Sequence, residues 1–247
     1  LTGRLQMLDG RQLSVLATDR VVALTTDQVQ ALSTGQISSL TMLQVRALTT
    51  DQIAALETRD VAVLTAAHLF SNGVTSASIV FDTSAGTQTL SSSKVTVQPA
   101  YDAVNDNNDL AIVWLNGRAP VSADRYSLYR GSDEIGQTFT MVGYGQVGSG
   151  STGSTGQSDP TWRLKAQNTF DADAGTLKAS LGNSMGWTPL FGTQLVADFD
   201  NGSANQDALG RLLNLQNLGL GLDEGVIAHG DSGGPAFIAG KVAGVGS

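Results

Sequence analysis

The stretch HGDSGGPAF (229–237) places a serine inside a run of glycines. A serine hydroxyl is a weak nucleophile until a base takes its proton and donors receive the oxyanion that forms. Gly-Asp-Ser-Gly-Gly lets the backbone turn sharply with no side chain in the way. The N–H groups of Gly230 and Ser232 can then point at one spot beside the Ser232 hydroxyl. The plainer reading is a glycine-rich hairpin turn that contains a serine. Any mechanism that needs imidazole must use His68 or His229, the only two histidines, and the absence of cysteine excludes thiolate catalysis, disulfides and Cys-based zinc sites.

His68 closes LTAAH (64–68), and this stretch has two readings. It can present a base to a serine, or it can be one more unit of a repeat. Leucine recurs every eighth residue from Leu8 through Leu16, Leu24, Leu32, Leu40, Leu48 and Leu56 to Leu64. A second apolar column runs through Leu5, Leu13, Val21, Val29, Ile37, Val45, Ile53, Val61 and Leu69. Two columns in phase are a repeat signal.

Eight residues advance a continuous helix by a drift of about 80° per repeat, so no single face would form. In a strand the two columns would fall on opposite faces. Short capped turns fit better. In Leu24-Thr25-Thr26-Asp27-Gln28-Val29, Thr25 and Gln28 have the spacing of a capping box, with Leu24 and Val29 at the positions of a hydrophobic staple. Residues 1–63 are therefore expected to form an octapeptide-repeat solenoid of short helical turns, with neighbours stacked to bury both columns. Such a segment would serve as a spacer or a surface that contacts another protein; its Thr and Gln carry no acid–base chemistry.

Beyond Asn72 the octad stops. SASIVFD (76–82), KVTVQP (94–99), DLAIVWL (109–115), TFTMVGYG (138–145), QLVADFD (194–200) and PAFIAGKVAGV (235–245) read as short strands separated by Gly, Ser, Asn and Asp. GQVGSGSTGSTGQSDP (145–160) reads as a flexible loop, and DALGRLLNLQNLGLGL (207–222) as a short helix ended by Gly219 or Gly221. The class is mainly β, nearer to barrels than to an α/β sheet. A net charge of −8 argues against nucleic acid as partner. No apolar run approaches the roughly 20 residues of a membrane span, and no leader precedes Leu1 that would read as a signal peptide.

The chain resembles the trypsin-like, chymotrypsin-fold serine endopeptidases over residues 64–247. GDSGGP is similar to that family's nucleophile motif, LTAAH to its general-base motif, and NNDLAIVWL (107–115) to the motif of its orienting acid. VTVQPAYD (95–102) and MVGYG (141–145) are similar to its flanking stretches. The resemblance implies a double β-barrel and a catalytic set of His68, Asp109 and Ser232, in the chain order His, Asp, Ser. His229 lies only three residues from Ser232 on the same turn, a poor place from which to reach its hydroxyl. The resemblance also implies an oxyanion hole from Gly230 and Ser232, and a substrate pocket touched by Val226, His229 and Ser247. Val226 stands where members specific for basic residues carry an acid, so apolar or small side chains are expected before the scissile bond. It implies protein or peptide substrates, no metal or cofactor, and a bacterial origin of the secreted or cell-surface kind. DFDNG (198–202) and NDNND (105–109) are rich in oxygen ligands but lack EF-hand spacing, since Gly202 falls where a ligand should be.

Two departures from the family set further expectations. The octad segment takes the place of the strands that open the first barrel. GVGS (244–247) matches the start of one pocket wall, and the sequence ends there, which reads as a domain incomplete at both ends. No N-terminus is evident to pair with Asp231. These departures lead to the expectation of a slow enzyme. They also support an alternative, a repeat-bearing surface or adhesion protein whose protease-like domain is inactive and only binds.

Overall fold

The computed structural model describes residues 5–56, 62–149, 153–159 and 161–247. Val61, in the second apolar column, and part of the 145–160 loop lie outside the described residues. Two compact units are present. The first comprises Leu1–Leu64, Gly73–Val97 and Ala111–Ser127, and the second Thr65–Asn72, Gln98–Leu110 and Leu128–Ser247.

In the first unit, helices start every eight residues. They are α1 (Gly10–Ser14), α2 (Thr18–Val22), α3 (Thr26–Gln30), α4 (Thr34–Ile37), α5 (Met42–Ala47) and α6 (Thr50–Leu56). Capping boxes close on Asp9 with Gln12, Thr25 with Gln28, and Thr41 with Gln44. Ser33 with Gln36 and Thr49 with Gln52 make the same reciprocal bonds.

Each helix packs not on the next one but on the helix three octads away, α1 on α4, α2 on α5 and α3 on α6. Glutamine explains how. Gln44 accepts the Thr41 N–H with its oxygen, while its buried amide donates to Leu13 O at 2.9 Å and Leu16 O at 2.7 Å. Gln36 reaches Leu5 and Leu8 in the same way, and Gln52 reaches Val21, Val22 and Leu24. One side chain thus satisfies an N-cap and the last carbonyls of a helix about thirty residues earlier. Glutamate could close the box but has no hydrogens to give those carbonyls. Leaving each buried carbonyl unpaired costs about 1–3 kcal/mol.

The same unit holds an antiparallel sheet in the order β1 (Ala62–Thr65), β4 (Ala111–Leu115), β3 (Gly86–Val97), β2 (Ser78–Thr83). Leu64 therefore sits in a strand rather than in a further helical turn. All five residues of β4 are buried, as its unbroken apolar run requires. Lys94 on β3 donates to Ser38 O at 2.7 Å, tying the sheet to the helices.

The second unit is built on a sheet in the order β12 (Lys241–Val245), β11 (Pro235–Ile238), β5 (Thr138–Gly143), β8 (Leu164–Thr169). Phe139, Met141, Phe170 and Ile238 form its core, with the rings of Phe139 and Phe170 stacked at 3.9 Å. The 145–160 segment carries a two-residue ladder between β6 (Gly148–Ser149) and β7 (Gly153–Ser154). QLVADFD keeps only the short β10 (Leu195–Val196), paired with β9 (Ala172–Asp173). Helix α7 (Ala174–Leu181) packs against α8 (Ala208–Leu213) through Leu177, Met185 and Leu209. The helix expected within 207–222 ends earlier than Gly219. Asn214 takes the left-handed conformation, φ 56°, and caps it.

Candidate active site

All of the residues singled out for chemistry belong to the second unit. Strand β1 delivers the chain to a single 3₁₀ turn, His68–Phe70, which opens on the histidine. The loop Gln98–Leu110 brings back the acid. His68 Nδ1 lies 2.7 Å from Asp109 Oδ2, and the His68 backbone N–H donates to Oδ1 at 2.8 Å. The Ser247 hydroxyl donates to the same Oδ2 at 2.7 Å. Asp109 is 8% exposed. Burial pushes its carboxyl up, but the bonds from the His68 ring, Ser247 and the His68 N–H outweigh that and hold it below the usual carboxylate range. A carboxylate kept ionised against Nδ1 fixes the ring proton there and leaves Nε2 as the basic nitrogen.

Sequence reasoning missed two supports of this pair. Ser247 was expected at a pocket wall, and its hydroxyl bonds Asp109. The asparagines before Asp109 stand out in sequence for their oxygen density, and in the structure Asn105 and Asn107 clamp the segment 188–194. Asn105 accepts from Thr188 N–H at 2.7 Å, and Asn107 accepts from Leu190 N–H at 2.7 Å and donates to Thr188 O. Those bonds use two of the oxygens that make NDNND look like a cation site, the amide oxygens of Asn105 and Asn107.

The serine turn is joined to this pair by a continuous bonded path. Gly233 N–H donates to Gly246 O, and Gly246 N–H donates to Gly234 O, both at 2.8 Å. Gly246 precedes Ser247, which holds Asp109. Gly233 has φ +82°, and a Cβ there would run into the Thr65 hydroxyl and approach Ala66 N, so the turn lies against the segment that ends in His68. No hydrogen bond joins Ser232 to His68; in free enzymes such contacts are often long and tighten only with substrate.

Asp231 accepts from Gly145 N–H at 2.7 Å and from Ala228 N–H at 2.9 Å, so two backbone donors hold its carboxylate. The next residues lock the turn, with Asp231 N–H donating to Ala228 O and Gly234 N–H to Asp231 O. Gly230, at φ +100°, is where the backbone needs glycine. Among the described residues neither Gly230 N–H nor Ser232 N–H is spent on a protein acceptor. Val226 is 45% exposed, and His229 is exposed with its carbonyl accepting from Gln146 N–H.

A family model described as Trypsin matches residues 23–180, more than half of the chain. The chain belongs to the trypsin family, and its domain is that of a serine endopeptidase. The matched span begins inside the octad segment, takes in His68 and Asp109, and stops before the GDSGGP turn. Neuropsin, a serine protease expressed in the limbic system of mouse brain, has a similar solved structure. Its TM-score is 0.52 at 18% identity, over 76% of this chain and 72% of that one. This likeness gives the trypsin-family chain its fold class, mainly β and chymotrypsin-like, with short helices ahead of the sheets. No curated protein matches it.

Proposed function

We propose that this chain hydrolyses peptide bonds with Ser232 as nucleophile, His68 as base and Asp109 as the group that orients His68. The observation that carries the reading is the Asp109 carboxylate, which grips His68 at both ring and backbone while the Ser247–Gly246 link ties it to the serine turn. Ser232 Oγ attacks the carbonyl and its proton passes to His68 Nε2. The imidazolium is stabilised by Asp109 and returns the proton to the leaving amine. The uncommitted N–H groups of Gly230 and Ser232 receive the oxyanion. Water then repeats the sequence on the acyl-enzyme.

Asp231 is the strut of that oxyanion turn. Asp231→Ala strands the Gly145 and Ala228 N–H groups. The expected result is a fall in kcat of about 10²–10³-fold with little change in KM, the signature of a contact made only in the transition state. Ester kinetics on matched folded fractions check this; an unchanged kcat would show that the turn holds its shape unaided.

In this reading Val226 and His229 lie beside the substrate side chain, and Val226 offers no charge to a bound cation. An unpaired buried cation costs several kcal/mol. The test is profiling with a peptide library. Cleavage after small or apolar residues is expected. Dominant cleavage after Arg or Lys refutes the role of Val226, and no cleavage refutes the endopeptidase reading.

Residues 1–63 are proposed as an octapeptide-repeat segment whose exposed surface contacts another protein, and the whole as a secreted bacterial enzyme. No helix among the described residues is long and apolar enough to cross a membrane. The inactive binding protein is the weaker alternative, because a buried carboxylate spent on positioning an imidazole serves catalysis rather than adhesion.

A further inference from the structure

Apart from the His68–Asp109 pair, the stretch from Asp198 to Glu224 builds an acidic cage. One carboxylate oxygen each from Asp198, Asp200 and Asp207 lies within 4.8 Å of the others. Two oxygens that both sit 2.3–2.6 Å from one ion are at most about 5 Å apart, so this spacing admits a shared cation. Asp200 is 2% exposed, and neither of its carboxylate oxygens has a hydrogen-bond partner. Asp198 Oδ1 is likewise buried without a partner. A buried carboxylate left this way costs several kcal/mol unless something positive meets it.

The surroundings hold the cage in place without neutralising it. Asp198 Oδ2 accepts from Leu209 N–H at 2.7 Å, and Asp207 accepts from Gly210 N–H at 2.6 Å and from Asn217 N–H at 3.3 Å. Asp171 accepts from the Asn217 side chain and from Asp198 N–H, and Glu224 from Leu220 N–H. These bonds orient the acids and leave three oxygens free. Besides its cage partners Asp198 and Asp207, Asp200 faces the charges of Glu224 and Asp171. Every charged group acting on it is another acid.

We propose that Asp198, Asp200 and Asp207 bind a hard divalent cation, Ca²⁺, between the loop after β10 and the N-terminus of α8. The donors are all carboxylate oxygens, with no histidine among them and no cysteine in the chain, which excludes the chemistry that selects zinc or copper. An irregular loop site suits the loose coordination of Ca²⁺ better than the strict octahedron of Mg²⁺. DFDNG fails as an EF-hand because its third ligand is Asp207, the N-cap of a helix, rather than a residue of the same loop. The ion would brace the segment that leads to Val226 and the serine turn, and takes no part in the proton transfers.

The test uses the full chain after dialysis against EDTA, titrated calorimetrically with CaCl₂ and with MgCl₂, with melting followed in parallel. The expected result is one Ca²⁺ per chain at micromolar to about millimolar Kd, a raised Tm, and weaker binding of Mg²⁺. Asp200→Asn keeps the shape and removes the charge, so it should lose about 100-fold in Ca²⁺ affinity while melting no lower than the wild type in EDTA. Should that variant fail to fold, Asp198→Asn takes its place. No heat and no Tm shift in the wild type up to about 10 mM Ca²⁺, well above the weakest sites of this kind, overturns the proposal. Equal affinity in wild type and variant, or equal affinity for Mg²⁺, overturns it as well.

Discussion

Ser232→Ala and His68→Ala each lower kcat/KM for a peptide ester by about 10⁴-fold or more, and the double variant loses no more than either single one. The non-additivity follows from the proton path. Without His68 the Ser232 hydroxyl keeps its proton, and without Ser232 the imidazole has nothing to activate. Neither change should unfold the domain. His68 is part-exposed, with 29% of its side chain open to solvent, and its backbone N–H still bonds Asp109 after truncation. Steady-state kinetics with a melting control check this. Wild-type turnover in His68→Ala would return the histidine to the status of a residue that happens to fall in octad register.

Asp109→Asn is expected to lower kcat by about 10⁴-fold with a small effect on KM. The carboxylate accepts three bonds, from the His68 ring, the His68 N–H and the Ser247 hydroxyl. An amide has one oxygen for two sites. If it faces the ring and Ser247, its NH₂ meets the His68 N–H; if it turns, the NH₂ meets the ring and drives the proton to Nε2, where the base should be vacant. The pH dependence has a definite sign. Asp109 titrates below the ordinary carboxylate range in the folded protein. Its contribution to stability is therefore present above the unfolded carboxylate pKa of about 3.9 and is lost as pH falls through the lowered folded value. The Asn variant lacks that acid-side loss, which acid unfolding monitored by circular dichroism reads directly.

Strands were legible where alternation or an unbroken apolar run marked them, as in Thr138–Gly143 of the second unit and Ala111–Leu115 of the first. The strand Leu164–Thr169 escaped because LKAQNT has neither pattern, although Asn168 is fully buried and donates to Asp198 O and Gly225 O. Helix α7 left a signal that went unread, with Asp173 as N-cap, Leu177 and Leu181 four apart, and Gly182 closing it. The repeat showed its capping boxes in sequence, but not that helices meet three octads apart, because the glutamine bonds join residues 28–31 positions distant. Ser247 with Asp109 and Asp231 with Gly145 share this property. Each joins residues whose neighbourhood exists only after the chain has folded, so composition near any one of them is silent.

A fluorophosphonate probe tests the central claim most directly, because it labels a serine only when its site activates it. The account predicts stoichiometric labelling of the wild type at Ser232, none in Ser232→Ala, and loss of labelling in His68→Ala. A folded wild-type chain that stays unlabelled, or undiminished labelling in His68→Ala, would contradict it.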